Sequence, residues 1–221
     1  MQAGAEPRTD QLKITEIFFS IQGESRSVGW PTVFIRLTGC PLRCRYCDTE
    51  YAFHGGQWMH FDQILAEVER HKARWVTVTG GEPLSQKRCI DLLRRLCDQG
   101  YQVSLETSGA IDISEVDPRV SRVMDLKTPA SGESHRNLWS NMEQLTAHDQ
   151  LKFVICSRED FDWACHIMQA HQLPEGLEVL FSPSYEELDP AELAGWILQE
   201  QPSVRLQLQL HKVLWGDQPG R

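Results

Sequence analysis

The sequence predicts an α/β fold in which successive βα units build an abbreviated, TIM-like barrel of about six parallel strands. Three observations predict it. Short runs rich in Val, Ile and Phe alternate along the chain with helical periods. No low-complexity linker interrupts the alternation. Polar or glycine-containing clusters stand directly after one apolar run after another.

Residues 33–37 (VFIRL), 75–78, 103–105, 120–126, 152–155, 178–181 and 204–208 read as strands. Between them, Phe61, Ile64, Leu65 and Val68 fall at i, i+3, i+4 and i+7. Cys89, Leu93, Leu96 and Cys97 form a second stripe, and Phe161, Ala164, Cys165 and Met168 a third. Asp189 followed by Pro190 has the form of an N-cap and a first helical residue, opening a helix that carries Leu193, Trp196 and Ile197. Residues 1–12 are expected to be a flexible N-terminus and residues 13–221 one domain.

The strand ends are more informative than the strands. They carry Thr38-Gly39-Cys40, Thr79-Gly80-Gly81-Glu82-Pro83, Glu106-Thr107-Ser108-Gly109, Asp125-Leu126-Lys127-Thr128, Ser182-Pro183-Ser184 and Gln209-Leu210-His211-Lys212. In a βα barrel these positions open onto one face, and that face holds the chemistry. Solubility alone does not require Glu, Asp, Lys and His on the same rim.

Composition bounds the function. Hydrophobic residues make up 41% and charged residues 24%, ordinary globular usage that argues against disorder. The 22 Lys and Arg against 31 Asp and Glu give a formal charge of −9, which repels phosphate backbones and disfavours nucleic acid as a partner. No window approaches the roughly twenty apolar residues of a membrane span, and the N-terminus has no export pattern. The 7 cysteines are odd in number, and Cys40, Cys44 and Cys47 are crowded together, so the expectation is a reducing cytoplasm with thiols free for metal.

Cys40, Cys44 and Cys47 form a C-x3-C-x2-C run. Three thiolates on one loop can each hold one iron of a [4Fe–4S] cubane, leaving the fourth iron open for a ligand. Structural zinc is the rival, but it wants a fourth ligand and paired C-x2-C units. Cys89, Cys97, Cys156 and Cys165 have no partner at metal spacing, and all but Cys156 sit in apolar stripes, where a cysteine behaves as a small hydrophobe.

With Tyr46 before the third cysteine and Gly80-Gly81-Glu82-Pro83 at the end of the next strand, this pattern resembles the radical S-adenosylmethionine superfamily. There the open iron chelates the methionine moiety of S-adenosylmethionine, and one electron cleaves it to a 5′-deoxyadenosyl radical. Gln22-Gly23-Glu24, Arg36, Cys47-Asp48-Thr49, Glu106-Thr107-Ser108-Gly109 and Leu210-His211-Lys212 narrow the match. As a set they closely resemble the 7-carboxy-7-deazaguanine synthase (QueE) family, from about Ile17 to the C-terminus.

The resemblance implies a radical SAM barrel and a ring contraction. A pterin substrate, 6-carboxy-5,6,7,8-tetrahydropterin, becomes 7-carboxy-7-deazaguanine with loss of ammonia, in 7-deazapurine and queuosine biosynthesis. It implies S-adenosyl-L-methionine, one [4Fe–4S] cluster and Mg²⁺ as cofactors, a flavodoxin-type electron donor and a homodimer. Residue by residue, it implies Cys40, Cys44 and Cys47 on the cluster and Thr49 on magnesium. Ile21, Gln22, Gly23, Glu24, Arg36, Thr79, Glu106 and His211 carry over as substrate contacts. Tyr46, Cys47, Asp48, Gly81, Asp125, Leu126, Lys127, Ser182, Pro183, Ser184 and Tyr185 carry over as the S-adenosylmethionine pocket.

Some of these have independent support. Arg36 lies inside an apolar strand and would otherwise have to snorkel out of it, whereas a guanidinium suits a carboxylate. The competing role for Arg36 is a structural ion pair with an acidic neighbour such as Glu106. The plain alternatives are a loop amide in water for Gln22, which the residues alone would favour, a salt-bridged strand end for Glu106, and a core histidine for His211. Two departures stand out: Ser25 replaces the glycine that often follows Gln-Gly-Glu, and the chain runs on past Lys212, so no C-terminal ligand is carried over. The rival functions are an activase of a glycyl-radical protein and a non-catalytic iron–sulfur protein. The first has no evident use for Arg36, Thr49 and Glu106, the second none for the Gly-Gly-Glu-Pro turn.

Overall fold

A computed structural model describes residues 10–216 together with 218 and 220. Its centre is one open, mostly parallel sheet of 9 strands, in the order β3-β1-β2-β4-β5-β6-β7-β8-β9. The strands are β1 (Gln11–Ile21), β2 (Pro31–Leu37), β3 (Gln57–His60), β4 (Trp75–Gly80), β5 (Gln102–Thr107), β6 (Ser121–Asp125), β7 (Gln150–Ile155), β8 (Glu178–Pro183) and β9 (Arg205–Leu206). From β2 through β4 to β9 every pairing is parallel, which gives the expected partial barrel. The seventh parallel strand, β9, is only 2 residues long, so the predicted strand over 204–208 is largely irregular chain.

The sequence reading did not assign β1 or β3. They extend the sheet by antiparallel pairing at the β2 edge. Leu12 and Ile14 of β1 are nonetheless buried in the core. Order therefore begins before the expected boundary at residue 13, and the rest of the segment expected to be flexible, residues 1–9, lies outside the described residues.

The helices are α1 (Phe61–Glu69), α2 (Cys89–Asp98), α3 (Arg158–Ala170), α4 (Pro190–Glu200) and α5 (Leu210–Trp215). The first three bury the predicted stripes, with Ile64, Val68, Leu93, Leu96, Phe161 and Ala164 in the same core as Val33, Ile35, Leu105 and Phe153. Cys89 and Cys97 are buried there and Cys165 is half-buried against it. Asp189 caps α4, its carboxylate accepting from the Ala191 amide at 2.8 Å. Phe153, Phe161 and Phe181 meet edge to face, tying α3 to β7 and β8. No helix among the described residues is long and apolar enough to cross a membrane.

The end of the sheet opposite the strand-end clusters is closed by a buried ion pair. Asp149, fully buried, accepts from the Arg122 amide and Nε at 2.9 Å each and from the Thr146 amide and hydroxyl. Burial alone would raise the Asp149 carboxyl, but Arg122 outweighs it and holds the group below the usual carboxylate range. A depressed folded pKa means stabilisation that is complete above the unfolded value of about 3.9 and is lost as pH falls through the folded one. Asp149→Asn should therefore lower Tm at pH 7 and narrow its gap to the parent as pH falls from 7 to well below the ordinary carboxylate value of about 3.9. A gap that stays constant between those pH values contradicts this.

Candidate active site

The parallel strands deliver their C-terminal ends to one cavity of about 490 Å³. Every strand-end cluster named from the sequence contributes to its wall. Of the predicted site residues only Leu126 does not: its side chain is fully buried in the core. Side chains alternate across a strand end, so Asp125 and Lys127 face the cavity and Leu126 between them faces away.

The cysteines sit on the loop after β2. Gly39 turns the chain at φ +101°, a conformation that favours glycine, and its amide donates to Ala52 O at 2.8 Å. The Arg43 guanidinium donates to Cys40 O at 2.9 Å and lies 4.2 Å over the Phe53 ring, and the Arg45 amide donates to Ser131 O at 3.0 Å. Cys40, Cys44 and Cys47 are free, half-buried and share the cavity wall. Burial raises all three thiols, Cys44 to about 11. Among the described residues no three His, Cys, Asp or Glu side chains converge on a single-ion position. That is compatible with a cubane, which takes each thiolate on a different iron, and unlike a zinc site, where the ligands meet at one point. The donor set fits a three-cysteine cluster.

The Gly80-Gly81-Glu82-Pro83 turn is built against this loop. A Cβ on Gly81 would lie 2.7 Å from Cys40 Cβ, and the Glu82 amide donates to Gly39 O at 2.8 Å. Glycine is thus needed here for packing on the cysteine loop, whatever it also does for a ligand. Glu82, which sequence reasoning left without a role, is fully buried. Its carboxylate accepts from the Leu84 amide (2.9 Å), the Thr107 hydroxyl (3.0 Å) and the Ser108 amide and hydroxyl (2.7 and 2.6 Å). One carboxylate so fastens the end of β4 to the end of β5.

Cation–carboxylate pairs line the remaining wall. Lys127 Nζ lies 2.9 Å from Asp125 Oδ2, and Lys212 Nζ lies 3.8 Å from Asp48 Oδ2 and 4.8 Å over the Tyr185 ring. Lys152 pairs with Glu24 Oε2, and Gln209 Nε2 donates to Glu24 Oε1 at 2.8 Å. Burial would raise the Glu24 carboxyl, but Lys152 outweighs it and the group is held low. Glu24, predicted as a substrate contact, is thus engaged by the protein itself. Lys152 was missed, although a lysine inside an apolar strand is the same signal that singled out Arg36.

Gln22 is buried rather than a loop amide in water. Its Nε2 donates to Thr77 Oγ1 at 3.0 Å and to Glu106 Oε1 at 3.4 Å. Thr79 Oγ1 donates to the other Glu106 oxygen at 3.0 Å. Burial, then the nearby Glu24 charge, raises the Glu106 carboxyl. Arg36 pairs with Glu16, Nε to Oε1 at 2.7 Å, and not with Glu106. His211 opens α5 rather than closing a strand and packs directly on Gly23, where a Cβ would collide with its Nδ1. Burial lowers its imidazole. Thr49 Oγ1 donates to Asp48 Oδ1 at 2.7 Å.

On the Asp125 side, Asp125 Oδ1 and Tyr46 Oη are buried without a hydrogen-bond partner among the described residues. Unpaired buried polar atoms in a cavity wall suit a polar ligand. Ser182 and Ser184 are buried beside them, and Tyr185 is partly exposed at the rim. Ser25 sits at φ +66°, which explains why a glycine is favoured at that position in the pattern.

The sequence model of the Radical SAM superfamily matches residues 34–123, which hold the cysteine loop and the ends of β4 and β5. The chain is 42% identical to the 7-carboxy-7-deazaguanine synthase of Koribacter versatilis over 92% of this chain and 97% of the relative. It is 42% identical to that of Chlorobaculum tepidum over 93% of this chain and 94% of the relative. The chain belongs to the 7-carboxy-7-deazaguanine synthase family. The crystal structure of QueE from Escherichia coli shares the fold with a TM-score of 0.77, covering 91% of this chain and 95% of that one, at 23% identity. Membership makes the chain a radical S-adenosylmethionine enzyme, and the superfamily implies a [4Fe–4S] cluster and S-adenosylmethionine as cofactors. The glycyl-radical activase and the non-catalytic iron–sulfur protein are set aside with it.

Proposed function

We propose that the chain converts 6-carboxy-5,6,7,8-tetrahydropterin to 7-carboxy-7-deazaguanine with loss of ammonia. The observation that carries this reading is the joint placement of Cys40, Cys44 and Cys47 with Gln22, Arg36, Thr79 and Glu106 in the wall of one cavity. When bound, the cluster and S-adenosylmethionine supply the adenosyl radical that takes the hydrogen from C6. The chain's own residues bind and orient. Arg36 holds the substrate carboxylate with the part of its guanidinium that Glu16 leaves open. Gln22, Thr79 and Glu106 meet the ring edge, with Ile21, Gly23 and His211 closing that side. Tyr46, Asp48, Gly81, Asp125, Lys127 and residues 182–185 hold S-adenosylmethionine, and the unpaired Asp125 Oδ1 accepts from it.

Thr49, beside Asp48, supplies one oxygen to Mg²⁺, a hard cation that otherwise keeps water and substrate oxygens. The protein acts in the cytoplasm as a homodimer, reduced by a flavodoxin-type donor. Anaerobic turnover of the carboxypterin by reconstituted protein tests the reading. Carboxydeazaguanine and ammonia in equal amounts are expected. A cluster-loaded protein that cleaves S-adenosylmethionine and yields neither product overturns it.

Thr49→Val keeps the shape of the side chain and removes its oxygen. The concentration of Mg²⁺ giving half-maximal turnover should rise about tenfold. An unchanged magnesium titration would exclude Thr49 as a ligand.

A further inference from the structure

Glu16 is not in the cavity wall and no sequence motif singles it out, yet it decides how Arg36 stands. β1 and β2 pair antiparallel, with Ile14 opposite Leu37 and Glu16 opposite Arg36. A regular ladder would set Thr15 opposite Arg36, so one extra residue, a β-bulge at Thr15, brings Glu16 to that place. Thr15 Oγ1 is fixed by the Thr38 hydroxyl at 2.7 Å, just before the cysteine loop. Glu16 Oε1 then takes two donors, Arg36 Nε at 2.7 Å and the Tyr51 hydroxyl at 2.8 Å. Tyr51 stands on the turn that follows Thr49, and its ring and that of Phe18 each lie 5.8 Å from the guanidinium carbon.

An arginine gripped at Nε keeps its two terminal nitrogens as one edge of the fork, which is the edge that matches a carboxylate. Left alone, the side chain would lose substantial rotamer freedom at the moment of binding. A partner that fixes it beforehand removes that loss. The opposing effect is that Glu16 lowers the net positive field at Arg36. Fixing dominates, because a carboxylate on Nε does not compete for the terminal edge.

We propose that Glu16 is the positioning residue for Arg36: held by the bulge in β1 and by Tyr51, it aims the guanidinium so that the site selects a substrate bearing a carboxylate. This rests on the reading of Arg36 as the carboxylate clamp.

The test uses full-length, cluster-reconstituted enzyme and the variants Glu16→Ala, Glu16→Gln and Arg36→Ala. KM, kcat, S-adenosylmethionine affinity and Tm are measured on the same preparations. Glu16→Ala should raise KM for the carboxypterin about tenfold while kcat and S-adenosylmethionine affinity stay within about threefold. Glu16→Gln, which keeps an acceptor oxygen, should recover most of the loss. A purely structural role would instead move Tm and cluster content and would not split KM from kcat. If Glu16→Ala fails to load its cluster, Tyr51→Phe is read in its place, with a rise in KM of about threefold expected and no rise overturning the proposal. An unchanged or lower KM in a folded Glu16→Ala enzyme overturns it. If Arg36→Ala raises KM and Glu16→Ala does not, the positioning role fails and the clamp stands. If neither moves KM, both fail.

Discussion

Replacing Cys40, Cys44 or Cys47 by alanine, one at a time, is expected to remove the bound iron and reduce turnover at least about a thousandfold, while the fold persists. The three thiols share one cavity wall on a loop whose backbone is fixed by Gly39, Arg43 and Arg45 through bonds that involve no sulfur. Losing a thiol therefore removes a ligand without undoing the loop. Cys89, Cys97, Cys156 and Cys165 lie outside that wall. Cys89→Ala should cost only about 1 kcal/mol of packing and leave the iron content near that of the parent. Iron per chain after anaerobic reconstitution, read beside far-UV circular dichroism, decides the matter. A well-folded Cys89→Ala or Cys165→Ala protein that has lost its iron would overturn the assignment.

Glu82→Ala is expected to be among the most destabilising single changes in the chain. The carboxylate is fully buried and accepts from two backbone amides and two hydroxyls. Removing it strands those donors away from water, at about 1–3 kcal/mol for each one left unsatisfied. Partial relaxation brings the total to roughly 3–5 kcal/mol, equivalent to a fall in Tm on the order of 10 °C for a chain of this length. Glu82→Gln keeps the volume but turns an amide N–H toward donors, so it should recover only part of the loss. Because Glu82 N also holds Gly39 O, activity should fall more than stability alone explains. Thermal melts of both variants beside Thr107→Val check this. If Glu82→Ala melts within about 2 °C of the parent, Glu82 is not the fastener described here.

Much of the site was legible because its signals are local. A thiol spacing, a Gly-Gly-Glu-Pro turn and a charged residue inside an apolar strand are each read within a few residues. The periods of α1, α2 and α3 were equally plain, since each buries one continuous stripe. Lys152 and Leu126 were also within reach: the first by the logic applied to Arg36, the second by the two-residue alternation that sends Asp125 and Lys127 the other way. β1 was harder. It lies toward the antiparallel edge, and much of its length is half-buried, so its apolar pattern is diluted.

By itself, the sequence determined the βα succession, the cysteine loop and the set of strand ends that meet at one rim. Only the tertiary structure decided how the charges on that rim are paired. Arg36 goes to Glu16 across a bulge, Glu24 goes to Lys152 from more than a hundred residues away, and Glu82 bonds a neighbouring strand end rather than a ligand. The physical reason is that a strand's period fixes which side chains share a face, whereas which residue lies opposite is set by register. Register depends on a single inserted residue such as Thr15 and on pairings between distant segments.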